Sequence, residues 1–366
     1  MKPNADYKDE RVIIINDFDL TSSIGITFQD YEKAIKDYGK MYSLAYSWRY
    51  FNKKYPGEVV SPSLFSKYQM HKLGSAKIPD IGAVVGSRLP SFFYSKFVKD
   101  MKFCSKESII HYSNNRIVPF AFNDRSVVTM NDLIFLQTRR FKEIAIKLHL
   151  IRTTNIYMKF RNVIAVSSTT KKDLINYGFN GNITVIYQPI SAHFRNLDLK
   201  KATLRNKLKL PQDKILILSV STNRPGKNLK ALKEMMRLMD ERYKLVRVGV
   251  PVGDSITFQH VSDETLNEIY NACDVMVFPS TEEGFGIPVT EAFKVGLPVV
   301  ASDIEVMQEV CGNAAILTEP TPHKIAQSIG EALSNSDIFR SKGFNRSLLF
   351  GVERFKEDMI KFYRRI

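Results

Sequence analysis

The segment from Phe278 to Asp303, FPSTEEGFGIPVTEAFKVGLPVVASD, gathers the residue types that an anionic, hydroxyl-rich ligand needs. Pro279 ends an apolar run, and Glu282-Glu283-Gly284-Phe285-Gly286 follows as a loop whose glycines permit positive φ and close ligand approach. A helix is expected from Pro288. The unpaired N–H groups of its first turn, on residues such as Val289 and Thr290, and the positive end of its dipole make an anion site suited to a diphosphate. Glu283 and Glu291 stand eight positions apart; on one continuous helix they would point about 80° apart. With the loop between them, both can face one ligand from different heights, and a carboxylate accepts bidentately from vicinal diols. Taken singly, Glu291 reads as a complement to the helix N-terminus and Glu283 as a solvated charge.

A second cluster precedes it. In STNRPGKNLKAL, Arg224 and Lys227 are the only cations at the tip of the apolar run Ile215–Ser219, where they can neutralise phosphate charge. By itself the turn also reads as an ordinary polar strand-to-helix connection capped by Asn228. The six histidines are scattered without HExxH or paired spacing, and His111, at the end of a strand, reads as structural rather than as a general base. Cys104, Cys273 and Cys311 are odd in number and lack CxxC spacing, which excludes a disulfide framework and a structural zinc site and leaves buried free thiols. No metal site is visible, and no metal or cofactor is expected.

These residues need a scaffold that brings loop and turn together. Short β-branched runs at Arg11–Asn16, Ile81–Gly86, Ser108–Tyr112, Ser126–Met130, Val163–Ser167 and Ile183–Tyr187 alternate with helical spacing at Phe28–Tyr38, Phe92–Lys102, Arg139–Ile151 and Thr170–Tyr177. Lys40–Lys77 has no period and reads as irregular. The alternation restarts with strands at Ile215–Ser219, Lys244–Val248, Val275–Phe278, Pro298–Ala301 and Ala315–Leu317. Helices lie near Leu229–Met239, Asp263–Ala272, Pro288–Lys294 and Pro322–Ser334, with Ser262 and Thr321 as caps and Gly296 as a stop. This predicts an α/β chain of two Rossmann-like domains facing each other across a cleft. The N-terminal domain spans 1–190, a linker 191–210, the C-terminal domain 211–348, and a helix in 349–366 packs back on the first domain.

At 366 residues the chain can bury two cores, and 44% hydrophobic with 25% charged residues excludes wholesale disorder and a coiled-coil rod. No stretch approaches 18 uncharged apolar residues and Met1–Glu10 is too polar for a signal peptide, so a cytoplasmic protein is expected. No GxGxxG follows the first strand, which removes local support for a nicotinamide cofactor. The formal charge is +15: residues 1–200 hold 30 Lys and Arg against 17 Asp and Glu, whereas 201–366 hold 23 against 21. Such asymmetry suits an anionic partner of the first half, or simply a Lys-rich proteome. Aromatic residues interleave with the lysines at Phe92–Lys106 and Lys40–Lys54, as in segments that lie at a membrane interface; the other reading is core aromatics beneath a solvated lysine face.

The complete string Phe278–Asp303 closely resembles the E-x(7)-E signature and following strand of the retaining, GT-B-fold glycosyltransferases of family 4, the glycosyltransferases group 1 type. The likeness extends through Asp263–Ser280 and Ser221–Leu232, and more weakly through SVVTMNDL and RNVIAVSSTTKKDL; residues 1–107 match only in outline. It implies transfer of a hexose from a UDP- or GDP-linked donor to a glycan or polyprenol-linked acceptor, with an anionic membrane surface as a further partner on the cytoplasmic face and no nucleic acid. It further implies that Glu291 holds the nucleotide ribose and that Gly284, Phe285, Gly286, Ile287, Val289 and Thr290 complete the donor site. Glu283 would meet the sugar, and Arg224 and Lys227 the leaving diphosphate, without a metal, an enzymic nucleophile or a base. In the first half the resemblance points to Gly25 and to Asn131-Asp132, where family members often carry His-Asp. The rival implications are a hydrolysing nucleotide-sugar 2-epimerase of related fold and a degenerate nucleotide-sugar-binding module without turnover, to which Asn131 is the one pointer.

Overall fold

The computed structural model describes residues 11–16, 40–45, 109–112, 115, 123–134 and 144–366. The described residues divide into two compact units: one takes those up to Ile186 together with Lys356–Ile366, the other Tyr187–Phe355.

The first unit is built on a parallel sheet of β1 (Arg11–Asn16), β2 (Lys40–Ala45), β3 (Ile109–Tyr112), β4 (Ser126–Met130), β5 (Asn162–Ala165) and β6 (Asn182–Val185), in the order β2-β1-β3-β4-β5-β6. β3, β4 and β5 are buried throughout, as strands covered on both faces must be. Two helices are described here, α1 (Ile144–Tyr157) and α2 (Ser168–Asn176). α2 begins where the Ser167 hydroxyl accepts from the Thr170 amide at 3.0 Å. The C-terminal helix, Val352–Tyr363, is tied to this sheet through its last residue. Fully buried His111 sits between the Tyr363 hydroxyl at 2.5 Å from Nδ1 and the Thr129 hydroxyl at 2.8 Å from Nε2. β2 corrects the expectation that residues from Lys40 onward are irregular: it pairs with β1 along its whole length, from Arg11↔Lys40 to Asn16↔Ala45. The expected strand at 81–86 and helices at 28–38 and 92–102 lie outside the described residues.

The second unit repeats the scheme with β7 (Ile215–Ser221), β8 (Tyr243–Gly249), β9 (Ile256–Phe258), β10 (Val275–Phe278), β11 (Val299–Ser302) and β12 (Ile316–Thr318), all parallel, in the order β12-β11-β10-β7-β8-β9. That is the doubly wound order, whose reversal falls between β7 and β10, so a ligand crevice is expected outside the carboxyl ends of those two strands. Its helices are α3 (Lys201–Leu208), α4 (Leu229–Leu238), α5 (Asp263–Ala272), α6 (Ile287–Val295), α7 (Glu305–Cys311), α8 (Pro322–Ser334) and α9 (Ser336–Ser347). Ile217, Leu232, Met235, Leu245, Val275, Val277, Val300, Ile325 and Ile329 form one core between sheet and helices. Each such side chain contributes about 1.5–3 kcal/mol by leaving water.

The expected linker at 191–210 is corrected. Arg195 and Leu197 donate their amides to Asn267 and Asn271 of α5, and α3 follows as a regular helix of the second unit. Its basic run is not a solvated connection. Arg205 is buried and its guanidinium reaches Asp274 at 2.6 Å and the Ala272 carbonyl at 3.0 Å, while Lys201 meets the same Asp274 at 2.7 Å. Cys273 and Cys311 are buried free thiols, the latter pushed up to about 12 by burial.

Candidate active site

β7 carries the chain to Arg224, and a single 3-10 turn, Pro225–Lys227, leads into α4. β10 carries it to Pro279 and the loop that ends at α6. The two meet at the reversal of strand order. Thr281 donates its amide to the Gly226 carbonyl at 2.8 Å. The Lys227 ammonium forms an ion pair with Glu283, their side chains only 15% and 11% exposed, and lies 5.6 Å from the centre of the Phe278 ring. Arg224 is exposed on the same turn. Asn228 takes up the N-cap position of α4 with a left-handed backbone, but its side chain does not cap the helix; it donates to the Pro320 carbonyl at 2.9 Å.

Glu291 stands on the first half of α6, buried, with one carboxylate oxygen accepting from the Tyr270 hydroxyl at 2.7 Å. That hydroxyl also lies 3.2 Å from the Pro288 carbonyl, so α5 holds both the start of α6 and its carboxylate. Burial pushes the Glu291 carboxyl up to about 8; the Tyr270 hydrogen bond pulls it down and the charge of Asp263 adds to the rise. Gly286, at φ 101°, turns the loop into the helix, and a Cβ there would lie 2.5 Å from the Met307 methyl.

The amides expected to meet an anion are engaged within the protein. Val289 and Thr290 both donate to the Gly286 carbonyl, at 2.9 and 3.4 Å, and their side chains are buried. The amides of Phe285, Gly286 and Ile287 meet no acceptor among the described residues. The Phe285 side chain is likewise core: its ring packs on Tyr187 and Phe350 at 5.8 and 5.5 Å between centroids. Phe285, Ile287, Val289 and Thr290 therefore offer a ligand at most their backbone, whereas Gly284 is half-buried.

In the first unit, Gly25 lies outside the described residues. Asn131 and Asp132 follow β4 directly. The Asp132 carboxylate accepts from the Ile134 amide at 3.3 Å and its carbonyl from Asn115 at 2.9 Å, a local turn. Two residues of the second unit were not foreseen. Tyr270 falls on the apolar stripe of α5 and reads as core. Arg247 is a third cation at the tip of β7, where only Arg224 and Lys227 were expected; a charged residue inside a strand reads as its solvent face, yet Arg247 is fully buried.

Residues 200–343, which include this whole loop-and-turn arrangement, match the family described as Glycosyl transferases group 1. The second unit carries a glycosyl transferases group 1 domain. The chain is 29% identical over 186 residues to the O-antigen chain mannosyltransferase RfbU of Salmonella typhimurium, 46% of this chain and 49% of that one. It is 28% identical over 171 residues to O-antigen chain mannosyltransferase B of Escherichia coli, 40% and 45% of the respective chains. It thus spans about half the length of the curated relatives it matches. Among solved structures it resembles sucrose-phosphate synthase from Thermosynechococcus elongatus, with a TM-score of 0.71 at 18% identity over 97% of this chain and 98% of that one. Anabaena Alr3699/HepE in complex with UDP-glucose gives 0.71 at 15% identity over 97% and 100%. The fold is GT-B.

Proposed function

We propose that this chain is a retaining glycosyltransferase that moves a hexose from a UDP- or GDP-linked donor to a glycan or polyprenol-linked acceptor. The observation that supports it best is the meeting of a basic turn and an acidic, glycine-flanked loop at the carboxyl ends of β7 and β10, where Lys227 pairs with Glu283. Mannose is the first hexose to test, because the matched relatives are named mannosyltransferases.

In this reading the diphosphate displaces Glu283 from Lys227 and takes further hydrogen bonds from Arg224 and the amides of Phe285, Gly286 and Ile287. Glu283, released, accepts from hydroxyls of the sugar, and Glu291 from the ribose diol. As the bond from the anomeric carbon to the diphosphate breaks, the growing charge on the leaving oxygen is met by fixed cations and amides in a partly dehydrated site. The acceptor oxygen bonds to the anomeric carbon on the same face, and its proton passes to the leaving phosphate. Configuration is retained, and no metal, nucleophile or enzymic base is assigned.

The test is a mass-spectrometric screen of UDP- and GDP-hexoses against lipid extracts, with the product linkage read by NMR and the reaction repeated in EDTA. Intact transfer with retained configuration, undiminished by EDTA, is expected. Inversion or strict dependence on Mg²⁺ or Mn²⁺ would sink the mechanism, an epimerised sugar would point to the epimerase, and binding without turnover to a degenerate module.

A further inference from the structure

Arg247 has no place in the reaction just described, yet it is the largest fully buried side chain of the described residues. No carboxylate pairs with it among them. Its guanidinium instead spends its donors mainly on the carboxyl end of β7: Nη1 on the Ser219 carbonyl at 2.8 Å, and Nη2 on the Ser221 carbonyl at 2.8 Å and hydroxyl at 2.9 Å, with a further contact from Nη1 to the Val248 carbonyl of its own strand β8 at 3.1 Å. Nε has no partner among the described residues. Burial draws the guanidinium down to about 10, so it is still charged at neutral pH.

A buried charge held only by neutral groups is costly, and its position is informative. β7 outruns β10: their pairing ends at Met276↔Leu218, so Ser219–Ser221 pair with β8 alone. The fork of one arginine reaches both Ser219 and Ser221, within the last three residues of β7, and only Thr222 and Asn223 separate that strand end from Arg224 and its turn. The strand end closes tightly around it, since a Cβ on Gly249 would lie 2.2 Å from the Ser221 carbonyl oxygen and 3.3 Å from Nη2.

We infer that Arg247 is a positioning residue for diphosphate recognition: it fixes the end of β7, and through it the Arg224–Lys227 turn, in the shape that receives the donor's diphosphate. The inference rests on the nucleotide-sugar reading above. A lysine in its place keeps a charge but cannot hold two carbonyls in a fixed fork.

The experiment compares wild type, Arg247→Lys and Ser221→Ala for binding of UDP and GDP by calorimetry, binding of uridine and guanosine by ligand-observed NMR, and melting temperature. Arg247→Lys should weaken the diphosphate that wild type binds by at least ten-fold while nucleoside affinity stays within two-fold, and Ser221→Ala should do the same to a smaller extent, by two- to five-fold. A merely structural arginine would lower melting temperature and weaken both ligands alike, and that outcome overturns the inference, as does unchanged diphosphate binding by a folded Arg247→Lys. Should Arg247→Lys not fold, unchanged diphosphate binding by Ser221→Ala overturns it. Failure of wild type to bind either diphosphate overturns the donor reading itself, and this inference with it.

Discussion

Glu291 is a carboxyl group whose burial and proposed role pull in opposite directions. Folded, it titrates near 8 because burial disfavours its charge; unfolded, it returns to 4.5. A raised folded value means the group's contribution to stability is fully present below about 4.5 and is lost as pH rises through about 8. Glu291→Gln keeps an acceptor for Tyr270 and removes the titration. It should melt close to wild type at pH 5 and well above it at pH 9 by differential scanning calorimetry; parallel curves across that range would contradict the assignment. A ribose diol stabilises the ionised form, so nucleotide binding at pH 7 should release a proton, seen as a binding heat that varies with the ionisation enthalpy of the buffer. Lys227 poses a different problem. Lys227→Ala strands Glu283, which is mostly buried, and breaking such a pair costs about 3–5 kcal/mol. Adding Glu283→Gln should restore the melting temperature but not sugar transfer; recovery of transfer in the double variant would remove Lys227 from the site. The two glutamates and the lysine are legible in the sequence because their spacing to glycines and prolines is itself a pattern. Tyr270 is not, since a tyrosine on an apolar helix stripe carries no sign of which polar group its hydroxyl will meet.

The elements that deliver these residues were mostly legible where local chemistry and burial agree. β10, α5 and α8 fall where apolar runs, Ser262 and Pro322 place them, and the Ser262 hydroxyl accepts from the Thr265 amide at 3.2 Å. Thr321 stands at the N-cap of α8 without a side-chain hydrogen bond, so position and proline suffice there. α3 is not legible locally, because its sequence, KATLRNKL, has no apolar stripe; what anchors it is Asp274, some seventy residues on, and no local pattern announces that. β2 is hidden for a related reason: KMYSLA becomes a strand by pairing with β1. The loop-to-helix junction at Gly286 depends on its backbone more than on its neighbours. Gly286→Ala would place a Cβ against Met307 and force a residue with a side chain to φ 101°. A strained position of this kind costs about 1–3 kcal/mol. The variant should lose that much in urea denaturation and bind nucleotide more weakly, and adding Met307→Ala should not recover it, because removing the methyl relieves the collision but leaves the dihedral. Full recovery in the double variant would show that space alone decides the glycine.

At the scale of the whole molecule the charge is the feature that donor binding does not absorb. The proposed donor site lies in the second unit, in the half of the sequence where Lys and Arg nearly balance Asp and Glu, yet the first 200 residues carry an excess of 13 positive charges. No helix among the described residues is long and apolar enough to cross a membrane. The two segments that mix aromatics with lysines, 40–54 and 92–106, lie outside the described residues apart from the strand Lys40–Ala45. A polyprenol-linked acceptor would place the substrate at a lipid surface, and a basic, aromatic face is the chemistry that meets anionic headgroups. Each basic residue near such a surface contributes about 1 kcal/mol, so a handful support reversible docking that salt weakens. The protein should therefore sediment with vesicles containing anionic lipid but not with purely zwitterionic ones, at low salt more than at high. Lys96→Glu with Lys99→Glu should weaken that binding without lowering nucleotide affinity, since those residues belong to the other half of the chain. Equal sedimentation with both vesicle types, or none with either, would reject membrane docking and assign the acceptor to solution.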